Sequence, residues 1–222
     1  MVELVDYFGS DLMVVNAARC SYNKVKEVLD EKDSKLIVFL KEHKHIAPFR
    51  HPQLQFRVTC PIYVERQLRK HEIGTELGLP PEPNSSINSI SGRYVDFSDS
   101  YTTIKEWRKQ SKSSKQGSEG LIDNPEQASF IENNIIGLCK TAYQELIKLG
   151  VSKEQARTIL PLNLNTTFIW TGSLLSFLHL FELRLKPDAQ AETREVVAEM
   201  LNCILNIEGN PFEHTLKAFN LN

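Results

Sequence analysis

The segment Pro52 to Pro61, PQLQFRVTCP, constrains the fold more than any other, because Leu54, Phe56, Val58 and Cys60 alternate with Gln55, Arg57 and Thr59. Successive side chains of a strand point to opposite faces, so the alternation predicts one face in a core and the other toward solvent or a partner. Asn163 to Thr171, rich in Thr, Phe, Ile and Trp, predicts a second long strand. Val2 to Tyr7 predicts a third, short strand, which Gly9 and Ser10 break in a turn. Helical spacing fills the remainder. Ser10 or Asp11 caps a helix to about Arg19, and Asp33 to His43 sets Leu36, Ile37 and Leu40 on one face. Pro61 suits the first position of a helix from Ile62 to about His71. Glu126 to Leu149 repeats Ile131, Ile135, Leu138, Ala142 and Leu146 at helical spacing, which predicts a helix with one apolar stripe, closed by Gly150. Ser152 with Gln155 reads as a capping box for a short helix to about Leu160. Ser173 opens LLSFLHLFELRL, and a final helix from about Ala189 to Asn206 buries Val196, Val197, Met200, Leu201, Ile204 and Leu205. With no repeat or linker, residues 1–222 read as a single α+β domain, a mainly antiparallel sheet packed against several helices.

Charge narrows the function. The chain has 26 Lys and Arg against 28 Asp and Glu, a net charge of −2, which argues against non-specific nucleic-acid binding and makes any anion site local. Tyr101 to Asn124 contains KEWRKQSKSSKQGSEG, which lacks apolar periodicity and predicts a mobile surface loop. Its cations Lys105, Arg108, Lys109, Lys112 and Lys115 are read first as solvated surface, with phosphate contact as the alternative. Cys20, Cys60, Cys139 and Cys203 form no CxxC pair, so neither a zinc site nor a disulfide scaffold is expected. His43, His45 and His51 lack an acidic or Cys partner at ligand spacing, and no metal is expected there either. Met1 leads into VELVDYF without a basic leader or an apolar run of membrane length, so the expected location is cytoplasmic, in a cell or an infected host, with no membrane partner.

The chemistry concentrates in Gln67 to Tyr94, QLRKHEIGTELGLPPEPNSSINSISGRY, where cations, amides, hydroxyls and glycine gather around a helix end and a loop. That mixture suits a phosphorylated ligand. KHE followed by SINSISGRY resembles the signature of the flavin-dependent thymidylate synthases, Arg-His-Arg-x-x-Ser-x-x-x-x-Ser-x-Arg, with Lys70 and Glu72 standing for its two arginines and Thr75 to Asn84 reading as an insertion. Three further stretches resemble that family in order: VELVDYFGSDLMVVNAARCSY, EHKHIAPFRHPQLQFRV and QARTILPLNLNTTFIWTGSLLSFLHLFELRL.

The resemblance implies reductive methylation of dUMP to dTMP, with carbon from methylenetetrahydrofolate and hydride passed from NADPH through FAD. It further implies a homotetramer with sites built at subunit interfaces. Carried over position by position, Arg184 favours ionisation at uracil N3 and is the catalytic candidate, a role that suits an always-charged planar donor. Gln67, Lys70, Ser89, Ser91, Gly92, Arg93 and Arg157 match dUMP-binding positions, although Ser89 replaces the usual acid and so lacks its acceptor. Ser21, His45, Ala47, Lys70, His71, Glu72, Ser173 and His179 match flavin positions. Glu72 would repel a phosphate or an anionic flavin, and Arg50 is the candidate replacement cation. His179 and Arg184 stand about 140° apart on an ideal helix, which predicts separate pockets.

Other readings compete with turnover. A flavin- or nucleotide-binding paralogue that has lost activity through Lys70, Glu72 and the insertion is one. A nucleic-acid module built on Lys105 to Lys115 is a more distant one, with Trp107 its single aromatic. Neither Cys20 nor Cys60 has a neighbouring His in sequence to activate it, which fits a mechanism without thiolate attack.

Overall fold

Pairing of the two long alternating segments sets the architecture. A computed structural model describes residues 1–71, 86–96, 99–113, 115 and 117–222, so Glu72 and the Thr75 to Asn84 insertion lie outside the described residues. In chain order the elements are β1 (Val2–Phe8), α1 (Asp11–Arg19), α2 (Glu31–Glu42), β2 (Gln53–Pro61), α3 (Ile62–Leu68), β3 (Ser86–Ser89), β4 (Arg108–Gln110) and β5 (Ser118–Leu121). They continue with α4 (Pro125–Lys148), α5 (Lys153–Ala156), β6 (Asn165–Ser173), α6 (Leu174–Arg184), α7 (Ala191–Leu205) and α8 (Glu213–Ala218). The main sheet is antiparallel in the order β1-β2-β6-β3, matching the expected α+β class.

Phe56 faces Trp170 and Val58 faces Phe168 across the β2–β6 pair. Because both strands alternate in phase, Leu54, Phe56, Val58 and Cys60 share a buried face with Phe168 and Trp170. The opposite face carries polar cross-strand pairs: Gln55 Nε2 donates to Thr171 Oγ1 at 2.9 Å, and the Thr59 and Thr167 hydroxyls meet at 2.8 Å. The ring of Phe177 on α6 closes the apolar face, 5.0 Å from both Phe56 and Trp170. Ser173 ends the strand and begins this helix, its Oγ accepting from Ser176 N at 3.1 Å.

Several expectations are corrected. Gly150 does close α4, at φ +84°, with Val151 N bonding Leu146 O and Gly150 N bonding Ile147 O as in a Schellman end. The stripe of α4 is not buried, however: Ile131, Ile135 and Leu138 are 56, 49 and 65% exposed. Periodicity specifies a face and leaves open what covers it. Ser152 makes no side-chain cap, so the capping box is absent, and the short helix ends at Ala156 before a 3-10 turn, Arg157–Ile159. α2 starts at Glu31, earlier than expected, because Asp30 caps it while Asp33 returns a bond to the Asp30 backbone. α3 stops at Leu68, short of His71. The segment read as a loop, Tyr101 to Asn124, contains the β4–β5 hairpin.

The sequence pattern gave no signal for α8. Its first turn is held by buried Asp11, which accepts from His214 N at 2.7 Å and from Thr215 N and Oγ1 at 3.2 and 2.5 Å. Phe212 and Leu216 beside it enter the core. Among the described residues no helix is long and apolar enough to cross a membrane.

Candidate active site

The last turn of α3 delivers the signature. Leu68 and Val64 are buried, which fixes the helix and leaves Gln67 half-buried and Lys70 exposed at its end, while His71 turns inward to 6% exposure. α6 is anchored by buried Leu174, Phe177, Leu178 and Phe181 and ends at Arg184. Arg184 Nε donates to His71 Nε2 at 2.6 Å. That bond requires an unprotonated Nε2 and therefore places the proton of a neutral imidazole on Nδ1. The His179 ring lies edge-on to His71, 6.4 Å between centroids. His179 and Arg184 occupy different faces of their helix, as the spacing predicted, yet His71 touches both. A cluster of two imidazoles and one guanidinium results, with His71 buried at its centre and His179 and Arg184 half-buried beside it.

The second set follows β3. Ile90 N bonds Thr167 O, extending the pairing to β6, and the chain then turns through Ser91, Gly92 and Arg93, with Tyr94 N and Val95 N both reaching Ser91 O. Gly92 is buried, whereas Ser89 and Arg93 are exposed. Arg93 lies over the Tyr94 ring at 5.3 Å. Arg69 joins this loop to α3, donating to Ser89 Oγ at 2.5 Å while also pairing with Glu65. Sequence reading passed over Arg69 because its neighbour Lys70 occupies the signature position. Its adjacency to that position was the available signal.

The third set is a pocket of about 420 Å³ between α1, α2 and the turn Ala47–Arg50, and Ser21, His45 and Ala47 all line it together with Lys44 and Arg50. Three positions expected at flavin thus share one cavity with two cations. Arg157, exposed on the turn after α5, stands apart from these groups. Ser173 is 1% exposed at the β6–α6 junction.

Among the described residues, three of the five cations from Lys105 to Lys115 are matched to acids. Arg108 pairs with Glu192 at 2.7 Å, Lys105 with Glu195 at 3.3 Å and Lys109 with Asp123 at 2.7 Å. Trp107 Nε1 donates to Ser129 Oγ at 3.0 Å. Cys60 is no nucleophile either, since burial pushes its thiol up to about 12.

Known proteins converge on one family. Residues 3–207 match the model described as thymidylate synthase complementing protein. The flavin-dependent thymidylate synthase of Thermus thermophilus is 36% identical over 219 residues, 97% of this chain and 76% of that protein. The one from Kosmotoga olearia is 36% identical over 197 residues, 87% of this chain and 80% of its own. Among solved structures, the UMP/dUMP methylase PolB from Streptomyces cacaoi bound with 5-Br dUMP superimposes with a TM-score of 0.83 at 26% identity, covering 99% of this chain and 94% of that one. Shared sequence over almost the whole length, on a shared fold, means that this chain belongs to the flavin-dependent thymidylate synthase family.

Proposed function

We propose that the chain methylates dUMP to dTMP, taking carbon from methylenetetrahydrofolate and using FAD reduced by NADPH. The observation that carries the reading is the Arg184–His71 hydrogen bond, which joins the uracil-activating candidate to a flavin candidate in one part-buried cluster. Bound flavin supplies the hydride, and the pocket lined by Ser21, His45 and Ala47, with Lys44 and Arg50 as cations, suits part of such a dinucleotide in size and charge. Arg184 stays charged, and with Nε committed to His71 its terminal nitrogens have no partner among the described residues. They are suited to a uracil carbonyl, where positive charge stabilises the ionised ring. The loop of Ser91, Gly92 and Arg93 is assigned to the phosphate, with a buried glycine allowing close backbone approach. The exposed stripe on α4 supports assembly into the homotetramer that completes each site.

The test is anaerobic turnover of purified protein with dUMP, methylenetetrahydrofolate, NADPH and FAD, following dTMP by mass spectrometry. Wild type should form dTMP, and Arg184→Ala should lower the rate by at least about a hundredfold, the scale of losing a charge-stabilising donor, while retaining flavin. Flavin-loaded wild type that forms no dTMP would identify a non-catalytic paralogue. An Arg184→Ala protein that loses flavin but binds dUMP normally would reassign the arginine.

A further inference from the structure

The hairpin connects to the candidate nucleotide site through an ordered series of polar contacts. Arg108 Nη2 donates to Glu192 Oε1 at 2.7 Å, Gln190 Nε2 donates to Glu192 Oε2 at 2.9 Å, and Gln67 Nε2 donates to Gln190 Oε1 at 2.5 Å. The side chains of Arg108 and Glu192 are only 21 and 15% exposed. The face of α3 that carries Gln67 also carries Tyr63, whose phenol is pushed up to about 12 by burial and by the nearby Glu192 and Glu132 carboxylates. Glu192 therefore sits against the signature helix and retains its charge there: burial opposes the charge, and the hydrogen bonds from Arg108, its own backbone and Gln190 together outweigh that, holding the carboxyl below its ordinary range.

The direction of each bond follows from chemistry. Arginine only donates and a carboxylate only accepts, so the Arg108–Glu192 pair has a fixed polarity. Gln190 must then turn its NH2 toward Glu192, which points its carbonyl at Gln67. Gln67 must donate in turn, and its own carbonyl Oε1 is left outward as an acceptor. We infer that Arg108, Glu192 and Gln190 are positioning residues that lock the Gln67 amide in one orientation, so that it accepts a hydrogen bond from a donor on the bound pyrimidine nucleotide. This rests on the assignment of Gln67 to dUMP made above. It gives the hairpin a role in nucleotide binding without any direct contact to the ligand.

Glu192→Gln tests the orientation with almost no change of shape. A glutamine there accepts from Arg108 with its carbonyl and offers NH2 to Gln190, which reverses every later bond and turns the Gln67 NH2 outward. On the intact protein, Glu192→Gln should raise the dUMP KM, and the Kd from calorimetry, about tenfold, the scale of one hydrogen bond, with kcat, flavin content and Tm near wild type. Arg108→Lys keeps a donor-only cation and should keep most of the affinity. In a Gln67→Ala background the Glu192→Gln change should add less than about twofold, as coupled neighbours do. Unchanged affinity in Glu192→Gln, or an equal loss with and without Gln67, would overturn the relay. Wild type that binds no dUMP would overturn the functional reading together with it. Wild type that methylates dUMP while the cycle is additive would overturn the relay alone.

Discussion

α6 and α4 are both helices with apolar residues at regular spacing, yet they stand at opposite extremes of burial. Seven of the eleven residues of α6 are buried, from Leu174 to Phe181. Among the 24 residues of α4 only Tyr143 is. α6 is apolar almost all round because it packs on β6, on α7 and on the turn Ala47–Arg50, with its apolar side chains in the core. α4 shows Phe130, Ile131, Ile135 and Leu138 on its surface, four large apolar side chains within little more than two turns. One helix is covered by its own chain, and the other leaves its apolar stripe on the surface, where the proposed homotetramer would cover it.

Substitutions divide the two. Phe177→Ala removes the ring wedged between Phe56 and Trp170, and unfolding by denaturant should show a loss of about 3–5 kcal/mol, with Cm falling and m unchanged. A loss below about 1 kcal/mol would mean that α6 is less essential than its burial implies. Leu138→Glu, at a position 65% exposed, should change the stability of the isolated chain by less than about 0.5 kcal/mol. It should instead weaken assembly by roughly 1.5–3 kcal/mol per buried leucine, seen by analytical ultracentrifugation as a shift toward smaller species. An assembly that survives the glutamate would place the subunit interface on another face.

How much of this was legible in the sequence follows from the range of the interactions. Strands β2 and β6 were readable because a period of two on a half-buried sheet leaves its mark on adjacent residues. The β4–β5 hairpin was not, since it has no apolar face and is tied down by ion pairs such as Arg108 to Glu192, 84 positions apart. α8 is short, and its N-terminus is satisfied by Asp11 from the other end of the chain. In the candidate site, family resemblance located His71 and Arg184 but not their mutual bond, which spans 113 positions. The Gln67–Gln190 contact spans 123. The local pattern of α4 gave the helix and its Gly150 end, but the spacing of Ile131, Ile135 and Leu138 carries no information about what, if anything, covers them.

α2 offers a third way of holding a helix, by charge, and acid sharpens its contrast with α6. Asp33 is fully buried; burial pushes its carboxyl up, but the Lys26 ammonium, the Asp30 backbone N–H and the Arg19 guanidinium outweigh that and hold it at about 2. Lys26 and Arg19 approach it at 2.5 and 2.6 Å. A carboxyl depressed below its ordinary 3.8 stabilises the fold fully at higher pH and loses that contribution as pH falls from about 4 through about 2. The expected loss is roughly 1.5–2.5 kcal/mol, within the scale of hydrogen bonds to a charged group and smaller than that of Phe177→Ala. It should be local as well. Arg19 precedes the turn Cys20–Tyr22 that carries Ser21 into the candidate flavin pocket, so amide exchange between pH 5 and pH 2.5 should accelerate first across 19–33 while α6 stays protected. Asp33→Asn should remove that pH dependence at the cost of faster exchange at pH 5. Uniform acceleration across both helices would mean that the α1–α2 junction and the α6 core open as one unit.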